Sequence, residues 1–195
     1  IDRRFFGVSI ILMVRKITPI PEEHRAKKIV LAGEAGQGIK FMAHALADIL
    51  AKLGKEVSLN LVYDATVRGG NIRAEIVYSD EPIEVPFFEE ADIGLQLSKS
   101  PDPTVRARHV LIESSACNAE CKKCELRCPA SDRVPFEKLA TEQFNSPIFV
   151  NMIALGRLLS KIGINIETVN FASEFPPQFL DENVKAIRYG YTYQD

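Results

Sequence analysis

The run Lys28-Ile29-Val30-Leu31-Ala32-Gly33-Glu34-Ala35-Gly36-Gln37-Gly38 constrains this chain more than any other, because it sets a short apolar strand directly against three closely spaced glycines. Downstream, Ile39, Met42, Leu46, Ile49 and Leu53 recur at helical spacing while Lys40, His44, Asp48 and Lys52 form a polar stripe, so residues 39–53 predict an amphipathic helix. Gly54 suits a left-handed C-cap, and Val57 to Tyr63 predicts a second strand. Strand, glycine turn, helix and strand make one right-handed βαβ unit, expected in a mostly parallel sheet flanked by helices. At such a corner Gly33, Gly36 and Gly38 let the backbone turn tightly and bring amide hydrogens at the positive end of a helix close to an anion, with Gln37 as a further donor.

The spacing Gly-x-x-Gly-x-Gly is not the dinucleotide fingerprint, and no acidic residue clearly ends the second strand to hold a ribose. The Gly-Lys-Ser/Thr ending of a triphosphate-binding loop is missing as well, and Glu34 would oppose a bound phosphate. From these residues alone the corner is a plain tight turn, a subunit contact or a direct cofactor contact.

Beyond it, Ile72 to Tyr78 alternates well enough to predict a half-exposed strand, antiparallel at an edge. Pro82 and Pro86 lead to strands expected at residues 93–97 and 109–112. Residues 136–144 and 148–162 read as helices, the second turning Ile148, Met152, Leu155, Leu159 and Ile162 to one face, with Pro147 placed at its first turn. The division expected is an N-terminal extension and leader at 1–27, an α/β domain at 28–170 with a cysteine-rich insertion at 116–129, and a C-terminal surface arm at 171–195. With 195 residues and 46% apolar side chains, one globular core is expected.

The balance of 24 basic against 26 acidic residues supplies no large positive field, and no basic stripe is interleaved with aromatics, which argues against nucleic acid as a partner. Val8 to Val14 falls far short of a membrane span, so no membrane association is expected and the location expected is cytoplasmic. Met13 is a candidate natural start, which would make residues 1–12 an upstream extension; the other reading of Phe5 to Val14 is an edge strand or the cover of a partner surface.

After the second strand, Arg68-Gly69-Gly70 offers a guanidinium fork toward a carboxylate or phosphate at the same edge of the sheet as the glycine corner. A solvent-facing arginine paired with Asp64 is the plainer reading. The corner at Gly33–Gly38, Arg68-Gly69-Gly70, Ser79-Asp80-Glu81-Pro82-Ile83, Ala91-Asp92 and Asn151-Met152-Ile153-Ala154-Leu155-Gly156, in this order, resemble the gamma subunit of 2-oxoacid:ferredoxin oxidoreductases of the pyruvate and ketoisovalerate type. The resemblance spans roughly residues 28–165 and implies a Rossmann-like gamma domain. It implies a complex that decarboxylates a 2-oxoacid on thiamine diphosphate held by alpha and beta type subunits, passes electrons through a ferredoxin-like subunit to ferredoxin, and forms an acyl-CoA.

In that setting the chain is inactive alone and contributes no catalytic residue. Gly33, Gly36, Gln37, Gly38, Arg68, Gly69 and Gly70 are the residues implied to lie at subunit contacts near the coenzyme A entry. Ala35 stands where the family commonly has glycine, which bears on direct ligand contact more than on the fold. The 2-oxoacid is left open, as is self-association of the isolated chain into a homo-oligomer.

All four cysteines fall in one cluster, Cys117-x3-Cys121-x2-Cys124-x3-Cys128-Pro129. In a reducing compartment such clustering points to soft-metal ligation, either a [4Fe-4S] cluster or a zinc held by four thiolates; disulfides and an unmetallated loop stay open. Lys122, Lys123 and Arg127 offset the thiolate charge without choosing the ion. His24, His44 and His109 pair with no nucleophile or base, while Asp92 and Asn151 read as a turn residue and a helix-start residue. The competing functions are a stand-alone iron-sulfur electron carrier or redox regulator and a small phosphate- or nucleotide-binding module.

Overall fold

The glycine-headed strand becomes the middle of a sheet. The computed structural model describes residues 25–63, 70–98, 102, 104–116, 131–173, 175 and 177–194. Its strands are β1 (Lys27–Glu34), β2 (Glu56–Tyr63), β3 (Asn71–Ser79), β4 (Ala91–Gln96), β5 (Ala107–Glu113) and β6 (Ser131–Val134). The helices are α1 (Ile39–Lys52), α2 (Phe136–Phe144), α3 (Val150–Lys161) and α4 (Leu180–Thr192). Strand order is β2-β3-β1-β4-β5-β6. β1, β4, β5 and β6 pair parallel, whereas β3 runs antiparallel to both β1 and β2.

The sheet is therefore mixed, which departs in one place from the expected parallel βαβ unit. β2 does return in the direction of β1, but β3 is inserted between them and β2 takes the edge. The expectation of an edge position for β3 is corrected for the same reason. Ala74 and Ile76 face one side and Val77 the other, and all three are buried, which suits an interior strand. β6 had no counterpart in the sequence reading. It has four residues, Ser-Asp-Arg-Val, with one buried side chain, and it takes its place by pairing with β5.

Side-chain alternation sorts the sheet into two faces. Ile29 and Leu31 of β1, Ala74 and Ile76 of β3, and Leu95 and Leu111 join the main core with apolar residues from all four helices. Val30 and Ala32, facing away, pack instead with Ala91, Val105 and Phe88. Among the described residues the helices thus stand on one face of the sheet.

α1 follows its expected stripe, with Ile39, Met42, Leu46 and Ile49 buried and Gly54 in the left-handed region at φ 81°. The helix expected from Ile148 breaks into a 3-10 turn at Pro147–Phe149, started by Ser146, whose Oγ accepts from the Ile148 N–H, and then α3. That change of pitch rotates the phase. Met152, Leu155 and Leu159 are buried as expected, but Ile148 is 70% exposed.

The C-terminal segment is not a surface arm. Ala186 and Ile187 of α4 are fully buried in the main core, with Phe171 and Phe175 beside it. The close approach is made by two glycines: a Cβ on Gly156 of α3 would strike the Ile187 carbonyl, and one on Gly190 of α4 would strike the Ile153 carbonyl. Helices meeting backbone to backbone leave no space for a methyl group. The sequence obscured this because α4 is polar over most of its surface and buries only Ala186, Ile187 and Gly190.

Candidate functional site

At the carboxyl end of β1 the chain turns through Gly36 at φ 96° and Gly38 at φ 76°, backbone conformations that side-chain-bearing residues rarely adopt. Gln37 holds the turn. Its Oε1 accepts from the Glu34 N–H at 2.7 Å and its Nε2 donates to the Leu97 carbonyl at 3.0 Å, just past β4. The side chain expected to donate to a ligand is thus engaged at both ends of its amide, tying the corner to the neighbouring strand. Gly33 makes room for it, because a Cβ there would sit 2.7 Å from Gln37 Oε1 and 2.8 Å from the Ile39 side chain.

Two motifs distant in sequence meet this corner. The Ala35 N–H donates to the Gly70 carbonyl at 3.2 Å, which brings the end of the Arg-Gly-Gly loop onto the turn; Arg68 and Gly69 lie outside the described residues. From the other side, the Asn151 side chain lies against Gly38, and a Cβ on Gly38 would fall on its amide nitrogen. Among the described residues Asn151 Oδ1 is buried without a hydrogen-bond partner. Reading Asn151 only as a helix-start residue missed this contact, since nothing local in residues 147–156 points to Gly38.

The turn and Asn151 open onto a cavity of about 710 Å³, walled by Gly36, Gln37, Gly38 and Asn151. Its rim is mostly apolar, with Phe41 42% exposed, Ile148 70% and Phe179 53%, beside Glu137, Ser146 and Asn183. α1 begins here with no side-chain cap and no acidic residue in its first turn, so its first amides and the positive end of its dipole face the opening. The arrangement offers backbone donors ringed by uncovered hydrocarbon. That suits an anionic group carried by a large body, or another protein surface, better than a small free ion.

The remaining candidates resolve into structural roles or fall outside the described residues. Asp92 Oδ2 accepts from the Lys28 N–H at 2.9 Å and so fastens the start of β1 to β4. Glu113, almost fully buried, accepts from the Ser115 N–H at 3.1 Å and the Glu137 N–H at 3.0 Å, satisfying amides at the start of α2. His44 is exposed on α1, and His109 sits 3.6 Å from Asp132. Cys117, Cys121, Cys124 and Cys128 lie outside the described residues. Among the described residues no group of three or more His, Cys, Asp or Glu could hold a metal, and no helix is long and apolar enough to cross a membrane.

Comparison with known proteins bears on the same residues. A family model described as pyruvate ferredoxin/flavodoxin oxidoreductase matches residues 28–193. The 2-oxoglutarate synthase subunit KorC of Archaeoglobus fulgidus is 33% identical over 172 residues, covering 86% of this chain and 87% of that protein. Among solved structures, the gamma subunit of a keto/oxoacid ferredoxin oxidoreductase from Geobacter sulfurreducens superposes with a TM-score of 0.64 at 19% identity, over 85% of this chain and 96% of its own. The 2-oxoglutarate:ferredoxin oxidoreductase of Magnetococcus marinus, with 2-oxoglutarate, coenzyme A and succinyl-CoA bound, gives a TM-score of 0.65 at 20% identity. This chain matches 30% of that longer one, with 85% of its own length. At such identities the two structures show a shared fold.

Proposed function

Since the chain belongs to the pyruvate ferredoxin/flavodoxin oxidoreductase family, we propose that its glycine corner and the apolar rim around it are the surface on which the larger subunits of its complex dock. The chain is a gamma-type subunit of a 2-oxoacid:ferredoxin oxidoreductase, a complex that oxidatively decarboxylates 2-oxoacids. The observation that carries the docking proposal is the convergence of Gly36–Gly38 and Asn151 on one cavity rimmed by Phe41, Ile148 and Phe179, with Gly70 bonded to the same turn at Ala35. Exposed aromatic and aliphatic side chains around a rigid pocket are the usual anchors of a protein interface.

The complex it serves is proposed to be of the 2-oxoglutarate type, a reading supported by the name of the Archaeoglobus relative. Thiamine diphosphate, bound by the other subunits, supplies the decarboxylation chemistry. The residues of this chain shape and close the approach at the corner, where the free amides of α1 suit the phosphates of coenzyme A. Electrons leave toward ferredoxin through other subunits, in the cytoplasm. Cys117, Cys121, Cys124 and Cys128 stay a proposed soft-metal ligand set, supported by their clustering in sequence.

Co-expression of the full chain with its alpha and beta type partners tests the docking proposal. The wild type is expected to co-purify at equal stoichiometry, and an Ile148→Asp, Phe179→Asp double variant to remain folded but leave the complex. Retention of that variant in an active complex would move the interface elsewhere.

A further inference from the structure

At the end of the sheet opposite the glycine corner, roughly 23 Å away along β1, a second cavity of about 380 Å³ opens between the sheet and the end of α3. Ile29, Ile93 and Ile162 form its hydrocarbon surface together with the Tyr78 ring. Lys27, His109 and Lys161 stand around it. Tyr78 is 9% exposed, yet its hydroxyl makes no hydrogen bond among the described residues. The hydroxyl reaches the open space of the cavity, where it is an available donor. Burial and then the charges of Asp92 and Asp80 push the Tyr78 pKa up to about 12, so it stays a donor across the physiological range; Asp80 is itself paired with Lys55 at 2.6 Å.

The charges around the cavity set the sign of its occupant. Asp92 is engaged by the Lys28 N–H at 2.9 Å and by Arg108 at 3.8 Å. Asp132 is surrounded by Lys161, by Arg157 at 3.7 Å and by His109 at 3.6 Å, two cations and an imidazole for one carboxylate. Lys27, exposed at the start of β1, adds a further positive charge. What is left over is a modest positive excess above an apolar floor, complementary to one negative charge on a short hydrocarbon body. A compact dianion would leave the isoleucines uncovered, and a cation would meet Lys27 and Lys161.

We propose that this cavity binds a small aliphatic carboxylate, with its head held by Lys27, Tyr78 and Lys161 and its hydrocarbon against Ile29, Ile93 and Ile162. The site is separate from the docking surface and does not depend on it. Its size falls within the usual range for small-molecule pockets.

Calorimetric titration of the full chain with hexanoate tests the proposal, with hexylammonium as the probe of opposite charge and inorganic phosphate as the anion without hydrocarbon. Hexanoate is expected to bind one per chain. Tyr78→Phe, which removes only an unbonded hydroxyl, is expected to weaken it about tenfold. Lys27→Ala, at an exposed position, is expected to weaken it about threefold. Amide resonances of residues 27–29, 92–93 and 161–162 should shift on titration. No binding of hexanoate, binding unchanged in both variants, or equal binding of hexylammonium or phosphate would each overturn the assignment.

Discussion

The two ends of the sheet are built from different interactions. At the carboxyl end of β1 the glycine corner is held by backbone and amide hydrogen bonds, Gln37 to Glu34 and Leu97 and Ala35 to Gly70, and what faces outward is hydrocarbon. At the amino end the contacts are ionic: Asp132 with Lys161, Arg157 and His109, and Lys55 with Asp80 at 2.6 Å. Neutral hydrogen bonds fix a shape that salt and pH leave alone, and exposed hydrocarbon gains by being covered. Ionic clusters tolerate water and respond to solutes. The first end is suited to permanent assembly and the second to a small exchanging ligand.

The largest expected effect breaks the first end from outside. Ile148→Asp with Phe179→Asp should reduce affinity for the partner subunits by about 1,000-fold, at about 2 kcal/mol for each anchor. Both side chains are more than half exposed, so thermal stability should stay within about 0.5 kcal/mol of wild type. Surface plasmon resonance and a thermal melt check the two halves.

A second expectation concerns the packing that supports the corner. Glycine to alanine inside a helix ordinarily gains about 1 kcal/mol in propensity. At Gly190 the added methyl would strike the Ile153 carbonyl, which cannot yield without separating α3 from α4. Overpacking costs typically about 1–3 kcal/mol and more where backbone is the obstacle. Gly190→Ala should therefore destabilise by a net of about 2 kcal/mol in chemical denaturation, where an exposed helix glycine would show a gain. Gln37→Leu should cost about 2 kcal/mol, because it leaves the Glu34 amide and the Leu97 carbonyl unpartnered beside the turn.

The amino end should respond to acid. The hydrogen bond from Lys161, with the nearby charges of His109 and Arg157, holds the Asp132 carboxyl below its ordinary range despite the opposing effect of burial. A carboxylate with a lowered folded-state pKa stabilises the fold above its ordinary value and loses that contribution as pH falls through the folded value. Asp132→Asn should thus lower stability at neutral pH and converge with wild type under strong acid. An unchanged gap between the two acid-denaturation curves would count against this ionic cluster.

Metal analysis of anaerobically purified protein checks the cysteines. Four irons with four sulfides or one zinc per chain is expected, abolished by a Cys121→Ser, Cys124→Ser double variant. A metal-free chain with intact thiols would contradict it.

How much of this the sequence disclosed depends on whether the cause was local. The strand from Lys28, the stripe of α1 and the glycine turn were legible because periodicity and φ preference act within a few residues. The interior place of β3 was not, since Ile72 to Tyr78 alternates as an edge strand would, and only its pairing with β1 shows otherwise. β6 exists through its partner β5, and no propensity in Ser131–Val134 announces it. Ile148 was assigned inward by extending helical phase through what is a 3-10 turn, and its exposure is what places it on the rim of the proposed docking surface. Asn151 against Gly38 spans more than a hundred residues and belongs to tertiary packing.

Hydrogen exchange of the full chain, alone and within its complex, tests the central claim most directly. Protection gained on assembly at residues 36–41, 146–151 and 177–183, with little change at 27–29 and 158–163, is the expected result. Protection concentrated at the amino end of the sheet, with the glycine corner still exchanging as in the free chain, would contradict the account.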